Sequence, residues 1–127
     1  MVNQPYKGLK AYEASYTLAI EVYNETKGMP WEELYGLTNQ MRRAAASIPA
    51  NIAEGYGKKE SAAEYRRFLL IAKGSCYEVS VWIEMCADLG YISNQWAEEK
   101  AVQYDEVARM LSGLIKKTGL EPSQPDS

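Results

Sequence analysis

Position 49 is a proline, and it stands inside a run that otherwise has the spacing of a helix. Leu37, Met41, Ala44 or Ala45, Ile48, Ile52 and Tyr56 fall at three- and four-residue steps on both sides of it. An interior proline removes one backbone donor, and its ring crowds the carbonyl four residues back. The stripe keeps its phase across Pro49. The pattern therefore predicts one helix, kinked near Ala45 and ending at Gly57, with Trp31 to Tyr35 as a turn or as its first turn.

The rest of the chain has the same periodicity. Residues 1–8 hold Pro5 and Gly8 and no pattern, and read as a flexible lead-in. A first helix is predicted over 9–26, with Leu9, Tyr12, Tyr16, Ala19, Ile20 and Tyr23 as its buried stripe. Gly28 would close it as a left-handed cap and Pro30 would stop it. Ser61-Ala62-Ala63-Glu64 has the form of a capping box and opens a third helix over 61–88. Tyr65, Phe68, Ala72, Ser75, Val79, Trp82, Cys86 and Leu89 form one stripe there, with Leu69, Cys76 and Ile83 beside it. Two stripes predict a central helix, or one that touches a second subunit. Gly74 costs about 1 kcal/mol relative to alanine in mid-helix, so close approach of another helix is expected there. Gly90 caps that helix, and Ser93 or Asn94 caps a fourth, whose stripe is Ala97, Ala101, Tyr104, Ala108, Leu111 and Ile115. Residues 119–127 hold two prolines and read as a disordered tail. Four helices with short links predict an all-α, antiparallel up-down-up-down bundle over 9–118.

Several functions are excluded by what is missing. Histidine is absent, which removes the Glu-x-x-His pairs of a di-iron bundle and the usual general base. No glycine-rich phosphate loop is present, and Ser47 and Ser75 have no partner at triad spacing. The reading is of a protein that is not an enzyme and takes no cofactor and no metal. No apolar run approaches membrane-spanning length, so no membrane partner is expected. Cys76 and Cys86 stand ten residues apart on one helix, about 15 Å along its axis, too far to pair. They read as buried thiols in a reducing, cytoplasmic setting.

Charge is unevenly placed. The net charge is −3, yet residues 36–80 carry seven basic and four acidic side chains, and the remainder carries seven and thirteen. A locally positive surface on an acidic protein follows. Arg42, Arg43, Lys58, Lys59, Arg66, Arg67 and Lys73 are the candidate contacts to nucleic acid phosphates. Neighbouring arginines diverge by about 100° on a helix, so each pair divides its work. The alternative is an ion pair between helices or subunits, with Glu54 or Glu78 as acceptor. Asn51 and Glu54, at i and i+3, are expected to hydrogen-bond across helices. Tyr56, beside Lys58 and Lys59, could stack a base.

Gly36-Leu37-Thr38, Gln40-Met41-Arg42-Arg43-Ala44, Ser47-Ile48 and Asn51-Ile52-Ala53-Glu54-Gly55 form a first motif around Pro49. Tyr65, Phe68-Leu69, Ile71-Ala72, Gly74-Ser75 and Glu78 form a second. Together they resemble the four-helix-bundle family encoded in intervening sequences of bacterial 23S ribosomal RNA genes, often labelled as ribosomal proteins. Met41 stands where leucine is usual, and Lys73 fills the variable step before Gly74-Ser75. The resemblance implies a ring-like homo-oligomer, usually a pentamer. It includes the accessory protein of diversity-generating retroelements, which partners a reverse transcriptase and binds nucleic acid through a basic surface. The expected function is a self-assembling scaffold or adaptor that contacts RNA or DNA. The alternative is an oligomeric protein-interaction module without nucleic acid.

Overall fold

The computed structural model describes residues 4–120, which form four long helices and no strand. Most of the expected tail, 121–127, and the first three residues of the lead-in lie outside the described residues. The second half of the lead-in is not without structure: Pro5–Gly8 makes a 3-10 turn, with proline at a helix start where its missing donor costs nothing.

Helix α1 spans Lys10–Thr26, α2 Asn39–Gly57, α3 Ala62–Asp88 and α4 Asn94–Lys117. Each packs on its neighbours in sequence, and α4 closes against α1. Along the α2–α3 seam Gly55 meets Phe68, Ser47 meets Ser75 and Arg43 meets Glu78, so these two helices run antiparallel. The core is one cluster drawn from all four, including Val22, Met41, Ile48, Leu69, Val79, Tyr104 and Leu111.

The ends of the helices follow from local chemistry. The Ser61 hydroxyl accepts the Glu64 N–H at 3.2 Å, and the Ser93 hydroxyl accepts the Trp96 N–H at 3.1 Å. Gly90, at φ 79°, lets Tyr91 N–H reach the Cys86 carbonyl at 2.9 Å and Gly90 N–H reach that of Ala87, a Schellman closure of α3. Gly28 does not take the expected left-handed conformation. Instead Lys27, Gly28 and Met29 each donate three residues back, and the last turn of α1 tightens until its carbonyls are satisfied.

Helix α2 runs unbroken through Pro49, which is buried. The irregular backbone lies earlier. Trp31–Glu33 is a 3-10 turn and Leu34–Thr38 a wide, π-type turn, with Gly36 outside helical geometry at φ −108°, ψ −112°. A side chain at 36 would crowd the Glu33 carboxylate, 3.1 Å from the place of a Cβ.

Two stripes differ from the expectation. On α1 the buried residues are Ala11, Ser15, Leu18, Ala19, Val22 and Thr26, and Tyr16, Ile20 and Tyr23 face outward. The helix has two apolar stripes one residue out of step. The inner one has small or aliphatic members, whereas buried tyrosines would each need a hydrogen-bond partner. On α4 Lys100 takes the inward place expected for Ala101, which is exposed.

Candidate functional site

The seven basic candidates do not form one surface. Arg42 and Lys58 lie about 24 Å apart along α2 at 1.5 Å per residue, and each is tied to its own surroundings. Half-buried Arg42 points to the end of α1: its Nε donates to Thr26 Oγ1 at 2.8 Å, and its guanidinium lies 4.8 Å from the Tyr23 ring centroid. A cation at a helix C-terminus is favoured by the exposed carbonyls there. Arg43 donates to Gln40 at 2.6 Å and reaches Glu78 at 3.7 Å, across to α3. Glu78 in turn accepts from the Trp82 indole at 3.1 Å.

A second group sits at the α2–α3 turn. Lys58 lies 3.9 Å from Glu54 and 4.8 Å from the Phe68 ring centroid. Arg67 pairs with Glu64 at 2.8 Å and also covers Phe68, at 4.4 Å. The hydrogen bond from Arg67 holds the Glu64 carboxyl below its usual range. Lys59 donates to the Tyr56 hydroxyl at 2.9 Å and lies 4.1 Å from that ring's centroid. Tyr65 meets Tyr56 in a T-shaped contact, 6.2 Å between centroids, so the ring proposed for base stacking is already engaged by the protein's own groups.

Arg66 and Lys73 are different. They share a face of α3 and line a groove of about 620 Å³ with Leu70, Ser112, Ile115 and Lys116. Among the described residues neither has an acidic partner within ion-pair distance, and the Arg66 Nε is buried without a hydrogen-bond partner.

The polar motif residues serve the packing. Asn51 donates to the Ser47 carbonyl of its own helix at 2.8 Å, and Glu54 pairs with Lys58, so neither reaches another helix as expected. The bridge from α2 to α3 is instead Ser47 Oγ to Ser75 Oγ, 2.6 Å apart. Gly55 marks the close approach: a Cβ there would lie 2.7 Å from the Phe68 Cβ. Gly74 is the reverse, exposed with nothing within 4 Å of a Cβ. The close approach expected at Gly74 does not occur within the chain. Among the described residues no three His, Cys, Asp or Glu side chains come together as metal ligands, and no helix is long and apolar enough to cross a membrane.

The family described as 23S rRNA-intervening sequence protein matches residues 7–113. The chain belongs to that family. A solved structure is similar to this member: a protein with unknown function from the S23 ribosomal protein family of Bacteroides thetaiotaomicron VPI-5482. The two are 26% identical, with a TM-score of 0.75 over 84% of this chain and 95% of that one. No curated protein matches.

Two features of this family member were not read from the sequence. The first is Lys100, buried on α4, whose ammonium pairs with Glu21 of α1 and donates to Gln103 at 2.9 Å. Position 100 lies between Ala97 and Tyr104 at inward spacing, but a lysine there reads as a surface charge. The second is an apolar stripe facing away from the core. Leu70, Tyr77, Val81 and Met85 recur at helical steps on α3, with Ile71 beside them and Gly74 in the middle, all exposed. Tyr77 is 56% and Val81 53% exposed. Tyr12, Tyr16, Ile20 and Tyr23 of α1 and Ala46, Pro49, Ala50 and Ala53 of α2 line an apolar groove of about 320 Å³.

Proposed function

We propose that this protein is a self-assembling scaffold subunit and not an enzyme, working in a reducing compartment where Cys76 and Cys86 stay free. The observation that carries the reading is the outer stripe of α3. A monomer gains nothing from five large apolar side chains lined up opposite its core, and contiguous patches of this kind mark interaction sites. Gly74 adds weight, because its conformational cost is not offset by any contact inside the chain. Sedimentation equilibrium of the purified protein tests this. A mass several times the 14.3 kDa chain is expected at micromolar concentration, and a monomer at all concentrations would reject the proposal.

A second reading, contact with nucleic acid, is supported by Arg66, Lys73 and Lys116 around one groove. It is narrower than the sequence suggested, because Arg42, Arg43, Lys58, Lys59 and Arg67 already hold partners in the fold. Binding of a structured RNA and of a mixed-sequence duplex should weaken steeply with salt. It should weaken further in Arg66→Glu and Lys73→Glu chains. Binding that is absent at low salt, or unchanged by both substitutions, removes this reading.

A further inference from the structure

Helix α4 ends in a turn that brings the chain back on itself. Gly119, at φ 73°, takes the left-handed conformation, and its N–H donates to the Lys116 carbonyl at 3.1 Å. Leu120 then lines the α3–α4 groove, together with Arg66, Leu70, Lys73 and Ile115. That groove is cationic. Arg66, Lys73 and Lys116 line it, and no acidic residue does. Among the described residues none of the three has an acid within ion-pair distance, and the Arg66 Nε is buried without an acceptor. The sequence continues as Glu121-Pro122-Ser123-Gln124-Pro125-Asp126-Ser127, which lies outside the described residues. It holds two acids and no base.

We propose that the acidic segment 121–127 lies back in the α3–α4 groove of its own chain and covers Arg66, Lys73 and Lys116. Position supports it first, because Leu120 delivers the segment to the groove. Reach agrees. Arg66 and Lys73 stand about 10.5 Å apart along α3, and six extended residues beyond Leu120 span up to ~20 Å, so Glu121 and Asp126 can meet cations at separate levels. Composition agrees as well. Pro122 and Pro125 stand between the two acids, as the apolar Leu70, Ile115 and Leu120 share the groove with the cations. Proline also fixes φ near −65°, so less freedom is lost when the segment settles. The tether favours this occupant over an anion from solution. A tethered segment acts at a local concentration in the millimolar range, whereas a free anion must approach a chain of net charge −3. The segment is therefore a built-in competitor: a phosphate that enters the groove displaces it first. This goes beyond the nucleic-acid reading and stands without it.

Carbodiimide cross-linking, which joins a carboxylate to an ammonium group in contact with it, tests the placement. Unlabelled and ¹⁵N-labelled full-length chains are unfolded, mixed and refolded, then cross-linked at low salt and mapped by mass spectrometry. Lys73 is the informative partner, since Lys116 is close to the segment in sequence. Glu121 or Asp126 should be joined to Lys73 within chains of one label, and the link should fade at high salt. No link to Lys73, or links equally common between the two labels, overturns the proposal; the latter result makes the occupant a neighbouring copy. Binding of inorganic tripolyphosphate tests the competition. Glu121→Gln with Asp126→Asn should bind it about threefold to tenfold more tightly than the wild type. Glu98→Gln with Glu99→Gln makes the same change in charge at exposed positions near the other end of α4 and should not. Adding Lys73→Gln and Lys116→Gln should abolish the gain. Equal affinity in the wild type and the 121/126 variant, or an equal gain in the 98/99 control, rejects the competitor. The nucleic-acid reading fails separately, on the RNA and duplex measurements.

Discussion

Gly55 and Gly74 are both helical, and their surroundings predict opposite effects of the same substitution. At 55 an added methyl meets the Phe68 Cβ at 2.7 Å, backbone-anchored and unable to swing away. Gly55→Ala should destabilise the fold by about 1–3 kcal/mol, seen as a lower urea midpoint. At 74 the methyl meets nothing. Gly74→Ala should raise the stability of the isolated subunit by up to ~1 kcal/mol and at the same time weaken assembly, because the low point of the outer α3 stripe is filled. Urea titration at dissociating concentration and sedimentation at assembling concentration read the two effects apart. The thiols give a further test. Burial pushes Cys76 up to about 12 and Cys86 to about 11. The native state therefore keeps its protons while unfolded thiols ionise near 8.5. That contribution to stability is complete below about pH 8.5 and is lost as pH rises toward the native values. Cys76→Ala should flatten the alkaline decline. Both thiols of the wild type should resist alkylation until the protein is unfolded.

At the scale of elements, α1 depends on α2 for its ending. It has no left-handed glycine cap, and Arg42 supplies a cation and a donor at Thr26 in its place. Arg42→Ala should cost about 1–2 kcal/mol, the lower part of the range for a charged hydrogen bond because the group is half exposed. Amide exchange should quicken first in the last turn of α1. The helices themselves were legible from spacing and caps: Ser61, Gly90 and Ser93 each stand where the chain turns. Which face of α1 goes inward was not legible. Both of its stripes are apolar at helical spacing, and the choice is made by the neighbouring helices, which accept Leu18 and Val22 and leave Tyr16, Ile20 and Tyr23 outside. Lys100 was missed for a related reason. Read alone it is a surface charge, and only Glu21 on a helix far away in sequence makes it an interior residue.

At the scale of the molecule, the uneven charge of the sequence does not become one positive surface. Helical geometry distributes seven basic side chains over the α1 end, the α2–α3 seam, the α2–α3 turn and the α3–α4 groove, and short-range acids and rings engage most of them. The motif around Pro49 identified the family, but as a packing seam: Met41, Ile48 and Ile52 are buried, and Ser47 bridges to Ser75. Among the described residues, what remains open is the groove of Arg66 and Lys73 and the outward apolar stripes of α1 and α3. Unfolding should accordingly depend on protein concentration, with the melting temperature rising as the sample is concentrated. Val81→Glu should remove that dependence and leave the helical signal intact.

The Lys100–Glu21 pair joins positions 79 apart in sequence, and this places a constraint on biosynthesis. Helices α1, α2 and α3 can stack one after another as they leave the ribosome. The side of α1 that carries Leu18 and Glu21 stays uncovered until α4 has followed. At roughly 5–20 residues per second, the unfinished bundle presents that strip for several seconds in every round of synthesis.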